Sequence, residues 1–189
     1  MKSLAYCQTG IYSRMNEEQL EIQFLQIFRE TRGINLVFVS GHNIDLLVTI
    51  FQACKRGSKT FVIDLYIAII LSELAKLGYK IPFPSPNFSE IRVFFPSLLT
   101  RRIKKLERND LIDNFYEYRI SLEEISEKAT HIVMTVRTSI AYEIKNIKNL
   151  FGGTFIYLMC EGYKDTYMTE RFLPIIKRRG MLIRNLPWI

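Results

Sequence analysis

The chain has 189 residues, of which 48% are hydrophobic and 13% are aromatic, and its formal net charge is +7 at pH 7. A chain of this length and composition can bury a core as a single domain over residues 1–189, which excludes a disordered or low-complexity protein. Its apolar segments are interrupted too early to cross a membrane and no signal peptide precedes them, so we expect a cytoplasmic protein without membrane contact.

The first predicted elements are a short strand and a helix. Ser3–Cys7 has the composition of a strand, and a helix begins at Asn16 with Glu17 and Glu18 in its first turn, where the helix dipole favours acidic side chains. Gly33 is expected to end this helix.

A βαβ unit is predicted next. The apolar run Leu36–Val39 is typical of a buried strand, and from Ile44 to Gly57 the apolar residues recur at helical spacing. A second strand, Phe61–Ile63, ends at Asp64. Units of this kind build parallel sheets.

The same alternation continues toward the C-terminal part. The predicted elements are a helix that starts at Asp64 or a neighbour and runs up to Gly78, a proline-containing loop Tyr79–Glu90, a strand Ile91–Phe95, a basic helix Ser97–Arg108, a segment Leu111–Tyr118 that forms a short helix or covers a groove, and a short helix opened by a Ser121–Glu124 capping box.

The last predicted elements are a strand His131–Val136, a helix Ile140–Leu150, a strand Thr154–Met159, a helix to Arg179 that contains Pro174, and a strand Met181–Leu186. This alternation predicts an α/β domain with a mostly parallel sheet.

Polar residues follow several predicted strands. In a parallel sheet the carboxyl ends of the strands share one edge, where ligands gather near helix N-termini. The turns around Asn43, Arg137 and Glu161–Tyr163 are therefore expected along one edge, with Asp64 beside them. Capping of the following helix is the alternative for Ser40 and Asn43, because no glycine-rich phosphate-binding motif is present.

The cysteines and histidines show no metal-binding spacing. Cys7, Cys54 and Cys160 include no CxxC pair, and His42 and His131 form no HxH or HExxH motif. We expect core cysteines, no disulfide framework and no metal site built by this chain alone.

Two basic runs stand out. Arg101–Arg108 and Lys177–Arg179 favour polyanionic partners, nucleic acid first, and a solvated helix face is the alternative for each run alone.

The order of these features resembles a known family. The segment Ser40 to Ala68, SGHNIDLLVTIFQACKRGSKTFVIDLYIA, resembles the β-CASP domain of metallo-β-lactamase-fold hydrolases, the group that includes ribonuclease J and the pre-mRNA cleavage endonuclease. In the bacterial branch a serine and an Asn-hydrophobic-Asp triplet lead into a helix, and the next strand ends in Asp and Tyr. The segment FIYLMCEGY at Phe155–Tyr163 is similar to that branch's late strand, and Arg137 with Ser139 matches its Arg-x-Ser turn.

The resemblance implies a three-layer, Rossmann-like α/β domain with helices on both faces of the sheet. In the family this domain is inserted into a metallo-β-lactamase domain, and the two enclose a two-zinc site. This chain has no HxHxDH motif, Cys7 stands where the family has an acidic residue, Leu46 stands where it has an arginine, and its next histidine motif would follow Ile189. The resemblance therefore implies a module that binds no cofactor alone, although the family uses zinc, and it leaves open whether the chain is part of an enzyme.

Three functions compete. The first is a module that binds single-stranded RNA or DNA and is not catalytic alone, through Ser40, Gly41, Asn43, Asp45, Asp64, Tyr66, Arg137, Ser139, Glu161, Gly162 and Tyr163. On this hypothesis, replacing Arg137 and Asn43 with alanine weakens RNA binding and leaves the melting temperature nearly unchanged.

The second is an interaction module or degenerate remnant that packs on a metallo-β-lactamase domain or forms a homodimer. The third is a Rossmann-like nucleotide-binding enzyme with Asp64 and Glu161 as acid–base candidates, and a solvated or helix-capping side chain is the alternative for Asp64.

Overall fold

A computed structural model describes residues 15–158 and 167–186, and for residues 167–172 it describes only the backbone. The predicted strand Ser3–Cys7 and the predicted turn Glu161–Tyr163 lie outside the described residues.

The described residues form one seven-stranded sheet, in the order β4-β3-β2-β5-β1-β6-β7, in which every neighbouring pair is parallel. This confirms the predicted α/β class with a sheet that is parallel throughout. The sequence did not predict β4. The strands are β1 Asn35–Phe38, β2 Thr60–Asp64, β3 Ile91–Phe94, β4 Arg119–Ile120, β5 Ile132–Val136, β6 Thr154–Tyr157 and β7 Leu182–Asn185.

Helices cover both faces of the sheet, which confirms the three-layer arrangement. One core contains side chains of α1, α2, α3, α4 and α5, and the other contains side chains of α6, α7 and α8. No described helix is both long enough and apolar enough to span a membrane. The helices are α1 Glu17–Glu30, α2 Ile44–Arg56, α3 Leu65–Lys76, α4 Ser97–Lys105, α5 Asp110–Asp113, α6 Leu122–Glu127, α7 Ala141–Ile144 and α8 Tyr167–Arg178.

Local capping chemistry sets the helix starts. Asn16 Oδ1 accepts a hydrogen bond from Gln19 N at 2.8 Å, and Gln19 Oε1 accepts one from Asn16 N at 3.1 Å. Ser121 and Glu124 form the same reciprocal pair at 3.1 and 3.0 Å, which confirms the predicted capping box.

The predicted helix Ile140–Leu150 is wrong in its length, because α7 ends at Ile144. Hydrogen bonds to a distant residue replace the helical ones in the following segment. Lys148 N donates to Ser126 Oγ at 3.0 Å, and Asn149 Nδ2 donates to Ser126 O at 2.8 Å. A helix over this segment needs the backbone N–H of Lys148 for its own ladder, so the first contact favours an irregular turn, and the side-chain contact of Asn149 holds that turn in place.

The sheet order predicts a crevice at the carboxyl edge. β5 lies between β2 and β1, and the helices that follow β1 and β2 pack on one face of the sheet. The connection that follows β5 packs on the opposite face, through Ile140 and Ile144. Where neighbouring strands send their connections to opposite faces, the loops separate, and this is where ligands bind in open α/β sheets.

The buried thiol of Cys54 in α2 should make stability depend on alkaline pH. Burial raises the pKa of this thiol well above its ordinary value of 9.0, and the nearby Lys59 charge lowers it by a smaller amount. The thiol therefore ionises at a lower pH in the unfolded chain than in the folded protein. Its contribution to the free energy of unfolding is fully present below pH 9.0 and is lost as the pH rises from there toward the pKa of the folded protein. In the first pH unit above that point, the wild type should lose up to about 1.4 kcal/mol more unfolding free energy than Cys54→Ala. Urea denaturation at each pH measures this difference, and an equal loss in both proteins would contradict it.

Candidate functional site

An ion pair occupies the crevice between β2 and β5. Asp64, the last residue of β2, is 0% exposed, and its Oδ1 accepts a hydrogen bond from Ile67 N at 3.0 Å, which caps α3. Its Oδ2 accepts a hydrogen bond from Arg137 Nε at 2.7 Å and lies 2.6 Å from Arg137 Nη2 in an ion pair. The structure therefore joins two of the predicted site residues directly, and each carboxylate oxygen of Asp64 has a partner.

An aromatic pair extends this ion pair toward the surface. The Arg137 guanidinium carbon lies 4.6 Å from the centroid of the Tyr66 ring, a cation–π contact. Tyr66 Oη lies 2.7 Å from His42 Nε2, and the tautomer of the imidazole decides which atom donates. The result is a continuous chain of contacts, Asp64–Arg137–Tyr66–His42, that runs from a buried carboxylate to an exposed histidine.

His42 is a residue that the sequence analysis missed, since it was considered only as a metal ligand. The signal was its position in the turn between β1 and α2, at the edge where ligands were expected.

The turn from Ser40 to Asn43 is held by its own hydrogen bonds. Asn43 Oδ1 accepts a hydrogen bond from Leu46 N at 3.2 Å, so the capping alternative describes the geometry of Asn43. Ser40 Oγ accepts a longer one from His42 N at 3.4 Å.

Gly41 allows this turn to lie against the start of α3. A Cβ on Gly41 would be 3.1 Å from Ile67 Cγ1 and 3.4 Å from Tyr66 Cε1. The absence of a side chain thus lets the β1–α2 turn come close enough for His42 to reach Tyr66.

Asp45 and Ser139 are less closely connected to the site. Both are exposed, and within the described residues neither side chain bonds to the other predicted site residues. Glu161, Gly162 and Tyr163 lie outside the described part of the chain.

Glu143 is a second residue at this edge that the sequence did not reveal. It lies in α7 and is 5% exposed, and its Oε1 accepts hydrogen bonds from Ser97 N at 3.1 Å and Ser97 Oγ at 2.8 Å. Ser97 is the first residue of α4, so a carboxylate from the chain itself occupies that helix N-terminus. This contact fixes the basic helix α4 beside the connection that follows β5.

These contacts change what the site residues can do. Removal of Arg137 and Asn43 together takes a partner from a buried carboxylate and a cap from α2, so these contacts favour a lower melting temperature for this double variant over an unchanged one. Asp64 is also a poor acid–base candidate, because it is fully buried and both its oxygens accept hydrogen bonds.

The described residues do not fit the zinc centre of the resembled family. Over residues 15–158 and 167–186, no group of three or more His, Cys, Asp or Glu side chains is placed to hold a metal ion. Zinc sites in proteins use three or four such ligands.

No protein-family model matches this chain, and no curated protein sequence matches it.

Proposed function

We propose that this chain is a β-CASP-like module that binds single-stranded nucleic acid along the carboxyl edge of its sheet and is not catalytic alone. The observation that carries the proposal is the contact chain from Asp64 to His42 in the crevice between β2 and β5. It places a guanidinium, a phenol and an imidazole together at the edge where α/β sheets bind phosphorylated ligands.

The guanidinium of Arg137 can contact a phosphate without leaving Asp64. Nε donates a hydrogen bond to Asp64 and Nη2 forms the ion pair with it, the side chain is 24% exposed, and Nη1 makes no hydrogen bond among the described residues. Because Asp64 neutralises the charge of Arg137, this contact positions a phosphate more than it attracts one.

The exposed ring of His42 can stack on a base. The hydrogen bond between its Nε2 and Tyr66 Oη fixes the ring orientation. Stacking on an aromatic ring shows little preference among the bases, because every base has a flat π face. This combination suits a single strand whose bases are unpaired.

Attraction over longer distances comes from helix α4. Arg101, Arg102, Lys104 and Lys105 are exposed, and within the described residues none of them makes an ion pair with an acidic side chain. The helix begins at the same edge as the crevice, after β3, and its cations lie in its second half, so they attract a polyanion over a distance and do not line the crevice. Together with the net charge of +7, it supports binding to a polyanion.

Replacing His42 with alanine should weaken binding of a labelled single-stranded RNA about tenfold, which corresponds to the loss of one stacked base. The melting temperature should stay close to that of the wild type, because the side chain is exposed. Fluorescence anisotropy with the RNA and with a matched DNA measures the dissociation constants.

His131→Ala is the matched control. His131 is also exposed, but it precedes β5 and therefore lies at the opposite edge of the sheet. Binding should be unchanged in this variant, and the wild-type affinity should fall steeply on a logarithmic salt scale. Equal losses in the two histidine variants, or no binding by the wild type at low salt, would refute the proposal.

One observation favours the interaction module as a second candidate. β7 pairs only with β6 among the described strands, and its residues are mostly exposed, including Leu182 at 54%. An edge strand of this kind can pair with a strand of another chain. A metallo-β-lactamase domain or a second copy of this chain would be the partner on this reading.

A further inference from the structure

A second cationic site lies away from the carboxyl edge. A cavity of about 350 Å³ is lined by Lys145, Pro174, Ile175, Arg178 and Arg179. Three of these five residues are cationic and none is acidic. α8 connects the parallel strands β6 and β7, so it returns toward the amino ends of the strands and carries Arg178 away from the crevice.

The cations of this cavity come from two separate segments that are tied together. Arg179 Nη2 donates a hydrogen bond to the backbone oxygen of Lys145. Lys145 Nζ in turn lies 5.9 Å from the centroid of the Tyr142 ring. The positions of Lys145 and Arg179 are therefore held by contacts that leave most of their N–H donors available.

The side chains that the structure describes offer these charges no acidic partner. Among the described residues, Lys145, Arg178 and Arg179 make no ion pair with an Asp or Glu. The negative end of the α8 dipole explains a cation such as Arg178 in its last turn. The dipole of α8 does not act on Lys145, which lies at the C-cap of the four-residue helix α7. Cations that line one cavity repel each other, and a bound anion removes that repulsion.

We propose that this cavity binds a compact anion with two or more linked phosphate groups, at a site separate from the nucleic-acid surface. Three cations match the charge of a linked phosphate pair better than that of a single phosphate. The volume is at the small end of ligand pockets, which suits a polyphosphate group and excludes a folded macromolecule. Pro174 and Ile175 provide the apolar part of its lining.

Isothermal titration of the full chain with inorganic triphosphate tests this site. The wild type should bind one triphosphate saturably, and the double variant Lys145→Gln/Arg178→Gln should bind it at least tenfold more weakly. Arg179 is kept in this variant because its hydrogen bond joins the two segments. The matched control, Arg101→Gln/Arg102→Gln, removes the same charge from α4 and should change the affinity by less than twofold.

No saturable binding by the wild type, or an equal loss in both double variants, would overturn the proposal, since binding would then follow net charge alone. A competition separates this site from the proposed nucleic-acid surface. Saturating triphosphate should leave a bound single-stranded RNA in place at constant ionic strength. Displacement of the RNA would show that the cavity belongs to the nucleic-acid surface and would overturn the separate site.

Discussion

Replacing Arg137 with alanine should lower the free energy of unfolding by about 3–5 kcal/mol, because it leaves a buried charge without its partner. Asp64 is 0% exposed, and its Oδ2 has no other hydrogen-bond donor among the described residues. For a chain of this size the loss corresponds to a fall in melting temperature of roughly 6–20 °C, at about 2–4 °C per kcal/mol. Thermal unfolding followed by circular dichroism measures it.

Two variants serve as controls for this result. Asp64→Asn should cost less, because its Oδ1 still caps α3 and Arg137 is partly exposed, so water can solvate the unpaired guanidinium. Arg119→Ala removes an exposed arginine whose ring contacts, with Phe95 and Tyr116, are 5.6 and 6.0 Å long, and it should change stability by about 1 kcal/mol or less. If Arg137→Ala is no more destabilising than Arg119→Ala, the buried ion pair does not hold the crevice together.

Replacing Gly153 with alanine should destabilise the protein by about 3 kcal/mol or more, through a clash that the backbone cannot easily avoid. An added Cβ would lie 2.6 Å from Ile34 O and 2.9 Å from Leu150 O. Gly33 lies opposite Gly153 and has no room for a side chain either, since a Cβ added to Gly33 would lie 2.8 Å from Gly153 N. These close approaches set the spacing at which β6 begins to pair with β1. Chemical denaturation of the purified variant measures the loss.

Gly78→Ala is the control for the glycine substitution. Gly78 has φ +94°, and a Cβ there would meet no atom within 4 Å. The cost is then only that of a left-handed backbone conformation, about 1–2 kcal/mol. A smaller loss for Gly153→Ala than for Gly78→Ala would mean that β6 shifts freely relative to β1.

The fold was largely predictable because its signals are local. Buried strands of a parallel sheet are apolar on both faces, so Leu36–Val39 and Phe61–Ile63 were placed within one residue of β1 and β2. The capping residues Asn16, Asp64 and Ser121 marked helix starts that the structure confirms. β4 was missed because a two-residue strand has no periodicity to detect.

The candidate site was predictable in its place but not in its contacts. The strand-end rule brought Asp64, Tyr66 and Arg137 to one edge, yet only the sheet order shows that β5 lies beside β2. Tyr66 is 24 residues from its partner His42, and Ser97 is 46 residues from Glu143. No sequence pattern links residues at such separations, so the pairing of Arg137 with Asp64 could not be distinguished from a free, ligand-binding arginine.

The sheet order also determines when the fold can form. β1 pairs with β5 and β6, and it has no neighbour among the strands that come before Ile132 in the chain. A chain that the ribosome has released only as far as β4 therefore contains β1 without either of its neighbours, β5 and β6. The hydrogen bonds at the centre of the sheet form only after β5 is available. This requirement slows folding, and until it is met the unpaired strand edges can pair with other chains. This protein depends on its second half to protect its first.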